Sequence, residues 1–461
     1  MACPFSSHYT FLCLVLLMNL ASQTCHALHS FGFDIHHRFS DPVKGILGVD
    51  ELPYKGTREY YVAMAHRDRI FRGRHLAADY HTPLTFLPGN ETIQIGAFGF
   101  LYFANVSVGT PPLSFLVALD TGSDLFWLPC NCTKCVRRIG ISNGLDHPQA
   151  KLFCAIAAYV TNRDNALYLE ALVHINCGQV QTGAFLDGAA PNGLFGLGMS
   201  DVSVPSILAK EGIASNSFSM CFGSDGFGRI TFGDNSSLVQ GKTPFNLRAL
   251  HPTYNITVTQ ITVGGNAADL EFHAKFDSGT SFTNLNDPAY TQITSSFNSA
   301  IKLQRHVSSG SDDIPFEYCY DLSPNQTYEV PLSLTMKGGD NYIVTDPIVT
   351  VTGEDINLLC LGVLKSNNVN IIGQNFMTGY RIVFDRENKI LGWKESNCEY
   401  SYNDEFSTLP INRSHSPATS PAIAVNPEAT SNDPVLSPNL SFKIKPTSAF
   451  MMSLFLLLAI F

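Results

Sequence analysis

Charge is what this sequence has least of. Asp, Glu, Lys and Arg together make up 15% of its 461 residues, against roughly 25% in an average globular domain. Ser, Thr, Asn and Gly fill the deficit, the composition of a β-rich secreted protein. There is no run of Lys or Arg, and the net charge is −10, which excludes nucleic acid as an expected partner. The histidines are scattered and no HExxH occurs, so zinc-hydrolase chemistry is excluded, and no metal or cofactor is expected. Long apolar runs are missing too. The N-terminal "FLCLVLLMNL" (11–20) is too short to cross about 30 Å of hydrocarbon.

That run precedes the small-residue stretch "ASQTCHA", so residues 1–27 read as a signal peptide, although the stretch before the run lacks Lys and Arg. At the other end "SAFMMSLFLLLAIF" (448–461) follows a polar, Pro-rich spacer with small residues at "ATSND" (429–433). Small residues, spacer and apolar tail are the layout of a GPI-attachment signal, with the attachment residue among Ala429, Thr430, Ser431 and Asn432; a short tail-anchor helix is the alternative. Asn90, Asn105, Asn131, Asn235, Asn255, Asn325, Asn412 and Asn439 begin N-x-S/T sequons, and Asn90, Asn105, Asn235, Asn255 and Asn325 are the glycosylation candidates. The expected location is the secretory pathway, and then the outer face of the plasma membrane or the medium.

Residues 28–82 concentrate His and Arg, as in "MAHRDRIFRGRH". The segment reads as a propeptide whose positive charge neutralises an acidic cleft, or else as a small basic domain. From about 98 to 396 the text is strand-like, aromatic and β-branched, broken by Gly and Asn turns, which predicts a mainly β region. Helix candidates are few: "SVPSILAKEG" (203–212) and "DPAYTQITSSFNSAI" (287–301), each opening with Ser or Asp before the helix and a Pro near its start. Residues 401–447 are rich in Ser, Pro, Asn and Thr without periodicity and read as a disordered stalk.

A weak internal repeat runs through the β region. "ALDTGSDLFW" (118–127) returns as "KFDSGTSFTN" (275–284), and "PNGLFGLGM" (191–199) as "NVNIIGQNFM" (369–377). Each half thus holds apolar–Asp–Thr/Ser–Gly–Ser/Thr, then two apolar residues and a Gly. Paired carboxylates have a specific use. Close together, two cannot both ionise and so share a proton, titrating as a unit. One then acts as base to water while the other acts as acid. Asp120 and Asp277 are the candidates. Gly122 and Gly279 expose a backbone N–H to each carboxylate. Thr121 and Ser278 are placed to bond across the two halves, and Ser123 and Thr280 to hold the outer oxygens.

These residues closely resemble the two active-site signatures of pepsin-like aspartic proteases, over about residues 98–398. "CNCTKC" and "FSMCFGSDGFGRITFGD" resemble the atypical plant branch, whose members often carry a GPI tail. The resemblance implies an all-β, bilobal fold with the active-site cleft between two β lobes (83–235 and 236–400), and acidic endopeptidase activity on polypeptides by a monomer. It also implies disulfides from Cys319 to Cys360 and from Cys221 to Cys398. "CNCTKC" has metal-like spacing, but disulfides fit a secreted lobe better.

The first half departs from the pattern. Asp120 to Gly196 is 76 positions and Asp277 to Gly373 is 96, although in the family the first half also carries the flap, a Tyr-bearing β-hairpin that closes over substrate. Trp127 matches the flap's usual partner, but no flap is evident between Ser142 and Cys177. Two readings stand. "YVTNRDNALYLE" is a replacement hairpin with Tyr159 as flap residue, or a block of sequence has been lost and the N-lobe is truncated. Nine cysteines after the signal peptide, an odd number, agree with loss. A truncated chain is expected to have low or no activity; a pepsin fold used as a binding protein is the remaining alternative.

Overall fold

The computed structural model describes most of residues 30–73 and 101–134, short stretches between 156 and 190, and most of 192–398. The expected signal peptide, stalk and apolar tail lie outside the described residues, as do Asn90, Asn235 and Asn325. All described residues fall within one compact unit, Met1–Asn426.

Strand-forming residues produce strands nearly throughout. In chain order the first half contains β1 (Phe31–His37), α1 (Arg58–Gly73), β2 (Tyr102–Val108), β3 (Leu113–Asp120), β4 (Trp127–Lys134), β5 (Ile156–Val160), β6 (Ala171–Val173), β7 (Asn176–Val180), β8 (Leu194–Gly196), α2 (Val204–Lys210), β9 (Ser217–Phe222) and β10 (Phe227–Phe232). The second half contains β11 (Gly241–Pro244), β12 (Asn255–Val263), β13 (Asn266–Phe276), β14 (Thr283–Leu285), α3 (Ala289–Ala300), β15 (Cys319–Asp321), β16 (Leu332–Met336), β17 (Asn341–Val344), β18 (Ile348–Thr352), β19 (Asn357–Leu361), β20 (Val363–Lys365), β21 (Ile371–Ile372), α4 (Gln374–Met377), β22 (Tyr380–Asp385) and β23 (Ile390–Glu395).

Among the described residues three sheets form. The largest runs β11-β23-β22-β9-β10-β1-β2-β3-β8-β4-β7, with β5 on β2 and β6 on β5. The second runs β17-β16-β12-β13-β21-β14-β20, and β15-β19-β18 form the third. The last two strands, β22 and β23, return to pair with β9 and β11, so both halves of the chain contribute to the first sheet. Alternation drives the burial: in β10, Gly228, Ile230 and Phe232 face inward while their neighbours do not, the period of two that a half-covered strand requires.

Both helix candidates form. α2 carries Pro205 in its first turn, where a missing N–H costs nothing. α3 buries Ala289, Tyr290, Ile293, Thr294 and Phe297, one helical face. The Asp287 carboxylate accepts the Thr291 N–H at 3.2 Å at its start.

The basic 28–82 stretch is woven into this architecture. β1 lies between β10 and β2, pairing Phe31–His36 with Phe227–Phe232 and His36–His37 with Tyr102–Phe103. Its Phe31, Phe33 and Ile35 belong to the main core. α1 follows and packs toward β18.

Candidate active site

The two halves of the sequence repeat become the same construction twice. Asp120 ends β3, and β8 runs parallel beside it, with Asp120 opposite Gly196. Asp277 follows β13, and β21 runs parallel beside that strand, with Phe276 opposite Ile372. The glycine that ends β8 and the one that follows β21 are steric requirements. A Cβ on Gly196 would stand 2.3 Å from the Asp124 carbonyl carbon, and one on Gly373 would stand 2.5 Å from that of Phe282. Backbone bonds then lock each loop: Leu197 N–H donates to Asp120 O at 2.9 Å and Gly198 N–H to Ser123 O at 2.7 Å. In the second half Gln374 N–H donates to Thr280 O at 2.8 Å and Asn375 N–H to Ser281 O at 3.0 Å.

Within the loops each carboxylate is held by two donors. Gly122 N–H donates to Asp120 Oδ1 at 2.9 Å, and Gly279 N–H to Asp277 Oδ1 at 2.8 Å. The Ser123 hydroxyl donates to Asp120 Oδ2, and the Thr280 hydroxyl to Asp277 Oδ2 at 2.8 Å. The inner oxygens face one place: a Cβ on Gly279 would lie 3.1 Å from Asp277 Oδ1 and 3.4 Å from Asp120 Oδ1. The loops are tied directly as well. The Thr121 and Ser278 hydroxyls are 3.4 Å apart, and Ser278 N–H donates to Thr121 Oγ1 at 3.3 Å. All four of Thr121, Ser123, Ser278 and Thr280 are buried, which strengthens these bonds relative to water.

Trp127 opens β4, buried, opposite Asn176 and Leu194. Tyr159 falls in β5, opposite Ser107 of β2. β5 and β6 pair antiparallel, with Ala158 opposite Ala171; the Tyr159 side chain lies outside the described ones. Cys319 is disulfide-bonded to Cys360, joining β15 to β19, and Cys221 to Cys398, tying β9 to the end of β23's continuation. Cys177 is disulfide-bonded as well. Asn105 is exposed on β2, whereas Asn255 is half-buried and its Oδ1 accepts from Asn246 Nδ2 at 3.0 Å. Among the described residues no group of His, Cys, Asp or Glu could hold a metal ion.

Two participants carry no sequence signal. Arg386, just after β22, is buried and donates to Ser206 of α2 at 2.6 Å. Burial lowers its pKa, opposed by Tyr254, Asp124 and Asp201, and its hydrogen bond joins the end of β22 to α2. Asp68 of α1 is buried against the Asp277 loop. Its surroundings in sequence are basic, and nothing there distinguishes it. Tyr61, on the same helix, has its hydroxyl pushed up to about 12, by burial first and by Asp346 second.

Two matching Asp loops, each crossed by a glycine-bearing partner strand in an all-β, two-lobed fold, define the pepsin-like class. The sequence comparisons agree. The family profile described as "Xylanase inhibitor C-terminal" matches residues 253–395, and "Xylanase inhibitor N-terminal" matches 102–159 and 158–234. The chain is 51% identical to "Aspartyl protease family protein 1" of Arabidopsis thaliana, over 93% of each protein. It is 32% identical to "Aspartic proteinase-like protein 1" of the same plant, over 85% of this chain and 86% of that one. Among solved structures, Basic 7S globulin from soybean superimposes with a TM-score of 0.47 at 18% identity, covering 64% of this chain and 92% of that one. The chain belongs to the atypical plant branch of the pepsin-like aspartic protease family.

The matches are not continuous. The N-terminal profile matches in two pieces that meet at residues 158–159. The alignment with the 51% relative spans 482 positions, more than the 461 residues of this chain, so the relative contributes positions with no counterpart here.

Proposed function

We propose that Asp120 and Asp277 form the shared-proton dyad of an aspartic endopeptidase acting on polypeptides at acidic pH. The observation that carries this reading is the convergence of both inner oxygens on Gly279, with matched donors fixing both outer oxygens. In this arrangement one carboxylate is ionised and draws a proton from a water bound between the pair. The other carries the shared proton and delivers it to the carbonyl oxygen of the scissile bond. Water's oxygen bonds the carbonyl carbon to give a diol, which collapses as its C–N bond breaks: one diol hydroxyl returns its proton to the carboxylate that protonated the carbonyl, and the carboxyl that received water's proton passes it to the departing amine. Gly122 and Gly279 N–H stabilise the inner oxygens through the cycle, and no cofactor is needed.

This chain carries the chemistry with a shortened N-lobe. The profile break at 158–159 falls where a flap is expected, so water exclusion and substrate orientation are weakened. We place its turnover well below that of full-length relatives; a catalytically impaired isoform, or a pepsin fold used for binding, is the second reading this break favours. Export, removal of residues 28–82, glycosylation at exposed Asn105, GPI anchoring and a monomeric state complete the proposal.

The test is cleavage of a denatured protein at about pH 4 by the purified chain freed of residues 28–82, with and without pepstatin. Slow, pepstatin-sensitive cleavage supports the reading. A rate equal to that of full-length relatives contradicts the impairment, and cleavage that survives Asp277→Ala contradicts the dyad.

A further inference from the structure

Tyr254 stands just before β12, early in the second half of the chain, and is bonded toward both aspartates. Its hydroxyl donates to Leu197 O at 2.6 Å. Leu197 is the residue whose N–H donates to Asp120 O at 2.9 Å. In the other direction the Tyr254 carbonyl accepts Phe276 N–H at 2.9 Å, and Asp277 comes next in the chain. One residue therefore connects the backbone of the first aspartate to the backbone that delivers the second. Neither repeat motif contains it.

The connection is stiff. Tyr254 is buried, and its ring sits among three phenylalanines. The centroids lie 4.6 Å from Phe384, 5.5 Å from Phe245 and 6.0 Å from Phe218. Phe218 and Phe384 stack on each other at 4.8 Å. They belong to β9 and β22, the neighbouring strands through which the C-terminal end of the chain joins the first sheet, so the ring is anchored to a surface shared by both halves. Two charged groups bear on the hydroxyl. Burial holds it well above its usual range, Arg386 draws it back, and Asp124 adds to the rise. It stays a proton donor throughout the acid range. A buried tyrosine hydroxyl needs an acceptor, and Leu197 O is that acceptor.

Two carboxylates share a proton only while they are close, because their repulsion falls with distance. The gap between their two titration steps reports that closeness. The Thr121–Ser278 contact joins the two loops at one point, about which they could still pivot. We propose that Tyr254 is a positioning residue of the aspartate pair, its hydroxyl and carbonyl forming a second tie that, together with the Thr121–Ser278 contact, holds the distance between Asp120 and Asp277. Without the hydroxyl, the Leu197 carbonyl loses its donor in a buried place. The end of β8 then shifts to recover a partner, and Asp120 moves with it through the Leu197 N–H bond. The proposal rests on the shared-proton reading of the pair.

Carboxyl NMR titration of the full chain, made with isotope-labelled aspartate, tests it. The two signals are identified by their loss in Asp120→Asn and in Asp277→Asn. The wild type is expected to show two well-separated steps for the pair. Tyr254→Phe, which keeps the ring, brings those steps closer by about one pH unit. Tyr342→Phe is the matched control. Its hydroxyl is also buried and donates to Phe376 O at 2.6 Å, but Tyr342 and Phe376 both belong to the second half. It is expected to lower the urea midpoint as much as Tyr254→Phe does, while the two steps keep their wild-type separation. An unchanged separation in Tyr254→Phe, or equal narrowing in both variants, overturns the proposal. Independent titration of the two carboxyls in the wild type contradicts the shared-proton reading itself, and the proposal with it. Cleavage is not read, so a chain without peptidase activity still gives an answer.

Discussion

Thr121 and Ser278 meet hydroxyl to hydroxyl at 3.4 Å, although 157 positions separate them in the chain. Ser278 N–H also donates to Thr121 Oγ1, so one threonine oxygen serves both the side chain and the backbone of the opposite loop. This cross-bond fixes the spacing of the two carboxylates beside it. Replacing Thr121 by Val keeps the shape and leaves the buried Ser278 N–H without that acceptor, a loss of about 1–3 kcal/mol. Urea unfolding is expected to show that drop with an unchanged slope, while Thr121→Ser stays near wild type. An unaffected Val variant would mean that the loops are held together elsewhere.

Gly196 and Gly373 perform the same task in the two halves. Each lets a partner strand pass against the backbone of an active-site loop where a methyl group would stand 2.3 or 2.5 Å from a carbonyl carbon. The atoms in the way are backbone and cannot swing aside. Gly196→Ala and Gly373→Ala are each expected to cost about 1–3 kcal/mol, or to prevent folding. By contrast Gly265→Ala meets nothing within 4 Å, and its φ of +83° adds only the cost of a left-handed residue, about 1 kcal/mol. Thermal melts of the three variants would show the difference.

Acid tolerance has a handle at α3. The exposed Asp287 carboxyl lies below its usual 3.8, held first by the Thr291 hydroxyl and then by Lys365. A carboxyl depressed in the folded state stabilises it above the unfolded value, and that contribution fades as the pH falls through the folded one. The melting temperature of Asp287→Asn should therefore lie below wild type near neutral pH, and the gap should close at strongly acidic pH. A gap that widens on acidification would contradict the assignment.

Much of this was legible in the sequence because it depends on short-range rules. The two D-[ST]-G loops, the second pair of glycine segments and the all-β class follow from local pattern, and the structure places those segments side by side through β3–β8 and β13–β21. The partners of Asp68 and Arg386 were not legible. Asp68 meets Ser281 across 213 positions and Arg386 meets Ser206 across 180, and no periodicity or motif encodes pairings that only the finished topology creates. The place of the N-terminal stretch in the fold was not legible: its composition sets it apart, but the strand β1 inside the sheet depends on an open position between β10 and β2 that no composition reveals.

The central claim is the proposal that Asp120 and Asp277 retain peptidase chemistry in an N-lobe shortened around residue 159, without the full segment that closes over substrate. The most direct measurement inserts the missing stretch of the 51% identical relative at residue 159 and follows pepstatin-sensitive cleavage at about pH 4, with and without Asp277→Ala. The account predicts cleavage about a hundredfold or more above the shortened chain, abolished by the substitution. No gain from the insertion, or cleavage that persists without Asp277, would contradict it.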